Sequence, residues 1–361
     1  MKSDELTSRI LRPASLPITH DASRLTLNRE PLLVVVGPTA VGKSQVAIHL
    51  AKGLGTEVLT ADSRQVYRGM DIGMDKPTLD ERQGVPHRLI DLVDPDQPFN
   101  VGEYRRHALV EIERLHRAGR LPLVVGGTGL YVRALLRGLW EGPPADWSFR
   151  EQLEGEAREK GPDSLHRRLA CVDAESAARL HPRDLVKIIR ALEVQHLLGR
   201  PLSEVHRGHG FAEAPFSPLV IGLIRDREAL YRRVNERVDV QFAKGLLEET
   251  RRLLAHGYSR QLGSMKGLGY RQMAGHLAGE YDFQEAVRRL KRDTRHFAKR
   301  QLTWFRKESA IEWLLVEEEE TSAAVAARIE ERVRGFLSGL AGQSSGTPIA
   351  SGMMHQATLT G

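Results

Sequence analysis

Apolar residues fall along the chain in short, unbroken blocks separated by longer amphipathic stretches. Leu32-Leu33-Val34-Val35-Val36 is wholly apolar, rich in β-branched side chains, and stops at a glycine; it reads as a strand buried on both faces. Glu57–Thr60, Pro122–Val125 and Leu219–Leu223 repeat the pattern, and the Pro122–Val125 block runs into Gly126 and Gly127. A helix should begin near Gly42 and run to about Lys52. Strands alternating with helical stretches predict an α/β fold, a mostly parallel sheet with helices on both faces.

The pattern changes between about Glu141 and Pro218, where Gly142-Pro143-Pro144 opens a stretch of short helices that closes at Pro215 and Pro218. This predicts a helical insertion domain over residues 141–218, dividing a core of residues 31–140 from its continuation at 219–316. Beyond Leu223 the chain reads as helical to about Lys307, then as a last strand at Ile311–Val316 and a C-terminal helix over 317–341. Residues 1–30 read as a flexible extension. Their arginines and serines would suit a transit peptide, but Asp4, Glu5, Asp21 and Glu30 argue against one. The uncharged tail from Gly342, rich in Gly, Ser, Thr and Ala, reads as disordered.

One predicted helix stands out by charge. Over Phe283–Lys307, Val287, Leu290, Thr294, Phe297, Gln301 and Trp304 recur at spacings of three and four, a mostly apolar stripe that should pack inward. Beside it, Arg288, Arg289, Lys291, Arg292, Arg295, Lys299, Arg300, Arg306 and Lys307 stand against Asp293 alone within residues 288–307. Solvated helix faces normally mix signs, so this run points to a polyanionic partner. The net charge of +6 permits that reading without requiring it. At 41% hydrophobic and 28% charged residues the chain can bury a sizeable core. A single cysteine, Cys171, rules out an internal disulfide or a Cys-rich zinc site and fits a reducing, cytoplasmic setting. No apolar run approaches the ~20 residues of a membrane span.

The sharpest chemical signal is Gly37-Pro38-Thr39-Ala40-Val41-Gly42-Lys43-Ser44, a full G-x-x-x-x-G-K-[ST] between a predicted strand and a predicted helix, which makes the expected α/β sheet P-loop NTPase-like. Its glycines let backbone N–H groups wrap a phosphate at a helix N-terminus, with Lys43 as a point charge and Ser44 as a possible Mg²⁺ ligand. Phosphate binding does not imply hydrolysis. An NTPase adds an apolar strand ending in a metal-holding Asp, and Leu89-Ile90-Asp91 is only a feeble candidate. Asp62, directly after the second strand, should face whatever the P-loop holds, since ligands bind beyond the carboxyl ends of such strands. Metal ligand, general base and helix N-cap are all open for it. Gly126-Gly127-Thr128-Gly129-Leu130-Tyr131 reads equally as a close-approach turn at a ligand or a plain strand-to-helix turn.

Taken in order, these segments resemble the tRNA dimethylallyltransferase (IPP transferase) family, bacterial type. The likeness is carried by Gly37–Ser44, Asp62-Ser63-Arg64-Gln65-Val66-Tyr67, Met70-Asp71-Ile72-Gly73 with Lys76-Pro77-Thr78, Val85-Pro86-His87 and Gly126–Tyr131. It continues in His181-Pro182-Arg183-Asp184, Arg190–Val194, Gly269-Tyr270-Arg271-Gln272-Met273 and Lys299–Trp304. Met74 replaces the usual threonine of that stretch, and Leu185-Val186-Lys187 replaces a pair that is often polar or basic.

The resemblance implies transfer of a dimethylallyl group from dimethylallyl pyrophosphate to N6 of the adenosine 3′-adjacent to the anticodon, in tRNAs reading codons that start with U. The products would be N6-isopentenyladenosine and pyrophosphate, made by a monomeric cytoplasmic enzyme with Mg²⁺. It assigns the donor pyrophosphate to Gly37, Thr39, Ala40, Val41, Gly42, Lys43, Ser44 and Arg233, and the N6 base to Asp62. Asp62, Ser63, Arg64 and Gln65 would line the flipped adenine, with Thr128 and Arg150 at the reaction centre. The anticodon stem-loop would meet Val186, Lys187, Arg190, Lys266, Gly269, Tyr270, Arg271, Lys299, Arg300, Gln301, Thr303, Trp304 and Arg306. Three other readings share parts of the pattern. A small-molecule P-loop kinase leaves the basic helix unexplained, as does a prenyltransferase for free adenine nucleotides. A non-catalytic RNA-binding NTP switch leaves the Asp62–Thr128 pairing unexplained.

Overall fold

A computed structural model describes residues 29–161, 163–209 and 213–344. The readings of residues 1–28 as an extension and of the tail beyond 344 lie outside them. Up to the predicted insertion the order is β1 (Glu30–Val36), α1 (Lys43–Gly53), β2 (Val58–Ala61), α2 (Leu79–Arg82), β3 (His87–Arg88), α3 (Val101–Arg117), β4 (Leu123–Gly126) and α4 (Gly129–Arg137). Five helices follow: α5 (Trp147–Lys160), α6 (Asp163–Val172), α7 (Ala174–Arg179), α8 (Leu185–Leu198) and α9 (Leu202–His209). The chain then continues through β5 (Phe216–Ile224), α10 (Arg227–Ala243), α11 (Leu246–Ala255), α12 (Tyr270–Leu277), α13 (Phe283–Phe305), β6 (Ile311–Leu315) and α14 (Ser322–Ser344).

The strands form one all-parallel sheet in the order β3-β2-β4-β1-β5-β6. Because side chains alternate along a strand, β1 feeds two cores. Leu33 and Val35 pack with α1 and with Val325, Ile329 and Val333 of α14. Leu32, Val34 and Val36 pack with α3 and α4. A third core joins Val66, Tyr67, Met70 and Met74 to helices α10–α13 through Val238, Leu246, Met273 and Leu290. Helices α5–α8 enclose a fourth, around Leu153, Leu165, Leu169, Ile188 and Leu192. Helix starts carry the expected side-chain caps: Asn100 with Glu103 for α3, and Asp146, Asp226 and Asp282 for α5, α10 and α13.

Three departures from the sequence reading have physical causes. Strand β3 is two residues long, too short for periodicity to reveal, and exists because β2 supplies its ladder. Leu89-Ile90-Asp91 is not a strand end. Leu89 and Asp91 have φ of 65° and 54°, and Asp91 accepts from the Lys76 ammonium at 2.5 Å. Helix α13 is rotated by about one residue from the expected stripe. Its buried line is Ala286, Leu290, Thr294, Ala298, Gln301 and Phe305, with Val287, Phe297 and Trp304 only half-buried. Two small alanines on that line let neighbouring helices approach closely, which reading by the largest side chains misses.

Candidate active site

The loop Gly37–Ser44 leaves β1 at the carboxyl edge of the sheet and turns into α1. Gly42 sits at φ 113°, where a side chain would be strained, and a Cβ on Gly37 would lie 2.6 Å from the Leu223 carbonyl. The Lys43 ammonium donates to the carbonyls of Gly37 (2.9 Å) and Pro38 (2.8 Å). Burial lowers its pKa to about 8, against the opposing pull of Asp62. The Ser44 side chain is exposed to the cavity in front of the loop.

Three arginines brace this loop, Arg225 just before α10 and Arg233 and Arg237 within it. Arg225 Nε donates to the Val41 carbonyl, Arg233 Nε to the Ala40 carbonyl, both at 3.0 Å, and Arg237 Nη1 to Thr39 Oγ1 at 2.5 Å. The family resemblance places Arg233 here. It is silent on Arg237, one helical turn further on, although a spacing of four from Arg233 puts both on one face. Arg237 also pairs with Asp75 at 3.2 Å.

Asp62 follows β2, but no helix begins there, so it is not an N-cap. Its Oδ1 accepts from the Arg64 N–H at 2.8 Å, a local turn that aims the carboxylate over the loop. Thr128 occupies the N-cap position of α4 without capping it. Its hydroxyl instead accepts from the Ser63 N–H at 3.0 Å, tying the ends of β2 and β4 together. Close approach explains the glycines: a Cβ on Gly126 would sit 2.0 Å from the Ala61 carbonyl, and one on Gly127 2.3 Å from Gln301. Gln301 of α13 spans the site, accepting from the Thr39 N–H (2.8 Å) and donating to the Gly127 carbonyl (2.9 Å).

In front of the loop lies one cavity of about 400 Å³, which Arg225 and Arg233 do not line. Thr39, Lys43, Ser44, Asp62, Thr128 and Arg237 line one side of it. Arg64, Lys266, Arg271 and Arg300 contribute cations elsewhere on its wall. Gln65 also lines it, with its amide donating to the carbonyls of Met74 and Asp75 (both 3.2 Å). That segment is held from behind by buried Glu249, which accepts from the N–H groups of Asp71 (3.2 Å), Ile72 (3.0 Å) and Gly73 (3.2 Å). Sequence reasoning missed Glu249, because nothing local marks a carboxylate whose partners lie some 177 positions away.

The remaining expected residues separate. Tyr270, at 0% exposure, is part of the third core and donates its hydroxyl to Glu249, and Gly269 is buried beside it, so neither presents a surface to RNA. Burial, then Glu249, push the Tyr270 phenol well above its usual range. Gln301 is buried in the loop network rather than displayed, and half-buried Trp304 packs on Gly129 with Arg133 stacked 4.5 Å from its ring centroid. Arg150 and Arg190 do not line the cavity. Both pair with buried Glu193, at 2.8 and 2.6 Å, which joins α5 to α8. Val186 (82% exposed) and Lys187 lie on the outer face of α8, where Lys187 pairs with Asp184. Lys299, Thr303 and Arg306 are exposed along α13.

For a divalent cation the donor set is sparse. No cluster of three or more His, Cys, Asp or Glu occurs among the described residues. The Ser44 hydroxyl and the Asp62 carboxylate, both on the cavity wall, suit Mg²⁺, which keeps several waters and takes much of its shell from phosphate oxygens.

The chain matches the family model described as IPP transferase over residues 65–308 and that of isopentenyl transferase over residues 31–93. It is 52% identical over 283 residues to the tRNA dimethylallyltransferase of Geobacter metallireducens, spanning 78% of this chain and 92% of that protein. Against the tRNA dimethylallyltransferase of Pelotomaculum thermopropionicum it is 48% identical over 310 residues, 86% of this chain and 98% of the relative. Among solved structures it is similar to the full-length tRNA isopentenylpyrophosphate transferase of Bacillus halodurans, with TM-score 0.66 and 38% identity over 88% of this chain and all of that one. It is also similar to a eukaryotic dimethylallyltransferase acting on tRNA, with TM-score 0.74 and 26% identity over 86% and 80% of the two chains.

Proposed function

The chain belongs to the IPP transferase family and transfers a dimethylallyl group to a tRNA adenosine, and we propose how its own residues carry that reaction. The donor is dimethylallyl pyrophosphate, and the acceptor is N6 of the adenosine 3′-adjacent to the anticodon in tRNAs reading codons that start with U. The observation that carries this reading is the meeting of Lys43, Asp62 and Thr128 on one cavity whose wall also bears Arg64, Lys266, Arg271 and Arg300.

The pyrophosphate sits against the backbone of Thr39–Ser44, with Lys43, Arg233 and Arg237 countering its charge. The adenine leaves its stack in the single-stranded loop and lies beside Gln65, at a cost of a few kcal/mol or less. Its N6 is a poor nucleophile because the lone pair is delocalised into the ring. As the N6–C1 bond forms and the C1–O bond breaks, the Asp62 carboxylate takes the N6 proton and pyrophosphate departs with the C–O electron pair. Thr128 holds the Asp62-Ser63 turn in place. Mg²⁺ would be held by Ser44 with pyrophosphate oxygens and would supply further charge neutralisation to the leaving group. The basic residues Lys187, Lys299, Arg300 and Arg306 meet tRNA phosphates, and the enzyme works in the cytoplasm as a monomer. No helix among the described residues is long and apolar enough to cross a membrane.

The test is incubation with labelled dimethylallyl pyrophosphate and bulk tRNA, with AMP and ATP as competing acceptors. Label should enter tRNA alone and vanish when the adenosine next to the anticodon is replaced by guanosine. Preferential labelling of AMP or ATP would sink the proposal.

A further inference from the structure

The cavity has two apolar regions. Leu268, Leu290 and Phe297 line it together with Lys266, Arg271 and Arg300, a neighbourhood suited to a nucleotide and its phosphates. A second region is formed by Ala47, Val58, Val125, Pro77 and His87, with Thr60. On β2, Val58, Thr60 and Asp62 share one face because side chains alternate. Thr60 lies level with Val125 on β4, and Val58 level with His87 on β3. Over them lies α1, where Ala47 stands one turn, about 5.4 Å, below Lys43. These residues make a slot between α1 and the sheet edge. It starts at the phosphate-facing Lys43 and the Asp62 carboxylate and runs ~13 Å down β2.

We propose that this slot holds the hydrocarbon tail of the donor, and that Val58 and His87 set the length of tail accepted. The idea rests on the donor being an allylic pyrophosphate, as argued above. A phosphate on Lys43 and Ser44 leaves its attached carbons beside Ala47, Thr60 and Val125. A five-carbon tail ends above Val58. A ten-carbon tail runs into His87, whose ring is locked because Nδ1 donates to the Val85 carbonyl at 3.0 Å. His87 also borders the hollow lined by Arg88, Ile90 and Arg106 beyond the sheet edge, so it stands as the wall between the two spaces. An apolar slot has a second use: it keeps water from the allylic carbon as positive charge builds there.

The decisive experiment compares dimethylallyl and geranyl pyrophosphate in two ways: equilibrium binding to the tRNA-free protein, and competition for transfer to tRNA. Wild type should favour the shorter donor in both. His87→Ala and Val58→Ala should raise the geranyl-to-dimethylallyl ratio by ~10-fold or more, within the range over which apolar pockets discriminate chain length. The KM for tRNA and inhibition by inorganic pyrophosphate should move by no more than about twofold in both. Ala47→Val, which narrows the slot, should weaken both donors and leave inorganic pyrophosphate inhibition in place. Unchanged selectivity in a folded His87→Ala protein, checked by its melting curve, would overturn the proposal. So would a change confined to the KM for tRNA, which would give the slot to the nucleoside. Binding of both donors without any transfer to tRNA would instead count against the reaction scheme and leave the slot assignment standing.

Discussion

Lys43 stands between opposing influences, and in the proposed reaction its protonation decides when the donor binds. Burial lowers its pKa to about 8, while nearby Asp62 pulls the other way. In the ligand-free protein the folded value lies below the ordinary 10.5, so between about 8 and 10.5 the unfolded chain binds more protons than the folded one. Stability from this group therefore rises with pH across that window. Donor binding runs the opposite way, because pyrophosphate needs the ammonium. Affinity for dimethylallyl pyrophosphate should weaken above pH ~8, by up to about tenfold per unit, and titration calorimetry from pH 7 to 9.5 would reveal it. Lys43→Ala should weaken donor binding by ~10- to 100-fold, the worth of a charged hydrogen bond, while the melting temperature holds. Asp62→Asn keeps the shape and removes the basicity. Its single-turnover rate in the saturated complex should fall by ~10²-fold or more, with tRNA affinity little changed. A normal rate with collapsed tRNA binding would make Asp62 a binding group.

At the scale of the element, α13 does two jobs at once. Its inner face delivers Gln301 to the phosphate loop. Its outer face is less uniformly basic than the spelling of residues 288–307 suggests. Glu285, just before that run, pairs with Arg288 and Arg289, Asp239 of α10 takes Lys291, and Asp293 takes Arg292. Arg295 donates to Asn235. Among the described residues, no carboxylate forms an ion pair with Lys299, Arg300, Arg306 or Lys307, so the unneutralised charge gathers at the C-terminal half of the helix, next to the cavity. Replacing Lys299, Arg300 and Arg306 with alanine should weaken tRNA binding and flatten its log–log salt slope by ~0.7–0.9 for each phosphate no longer neutralised. Replacing Arg288, Arg289 and Lys291 should do neither. Equal slopes for both triple variants would mean that the face is merely solvated.

Across the whole molecule, the site depends on packing far from it. Helix α14 closes the core beneath the phosphate loop, laying Val325, Ile329 and Val333 against α1. Ile329→Ala should cost ~2–5 kcal/mol by leaving a cavity there. Denaturant unfolding would measure it, and donor affinity at a temperature well below the transition should stay near wild type. Glu193 plays the corresponding part among α5–α9, where it is fully buried between Arg150 and Arg190 with its own pKa held below the usual carboxylate range despite burial. Both arginines are held at Glu193 rather than at the cavity, and removing either would leave part of that buried charge unpaired.

What the chain determined by itself is local and contiguous. The all-apolar β1 with the phosphate loop after it is written in consecutive residues, because backbone N–H groups do the binding and glycines permit the turn. Asp62 is legible for a similar reason: one carboxylate directly after a strand in a parallel sheet faces the ligand edge. Tertiary structure alone decided the rest. Arg237 reaches Thr39 across 198 positions, Gln301 reaches it across 262, and Glu249 meets the Ile72 N–H across 177. The rotation of α13, which turns Ala298 and Phe305 inward and leaves Val287, Phe297 and Trp304 half-buried, follows from which helices lie against its alanines. So does the burial of Tyr270, whose motif resembles an RNA contact while its side chain fills the third core. Spacing along a chain shows which residues share a face; only the packed neighbours decide whether that face meets the core, the cavity or water.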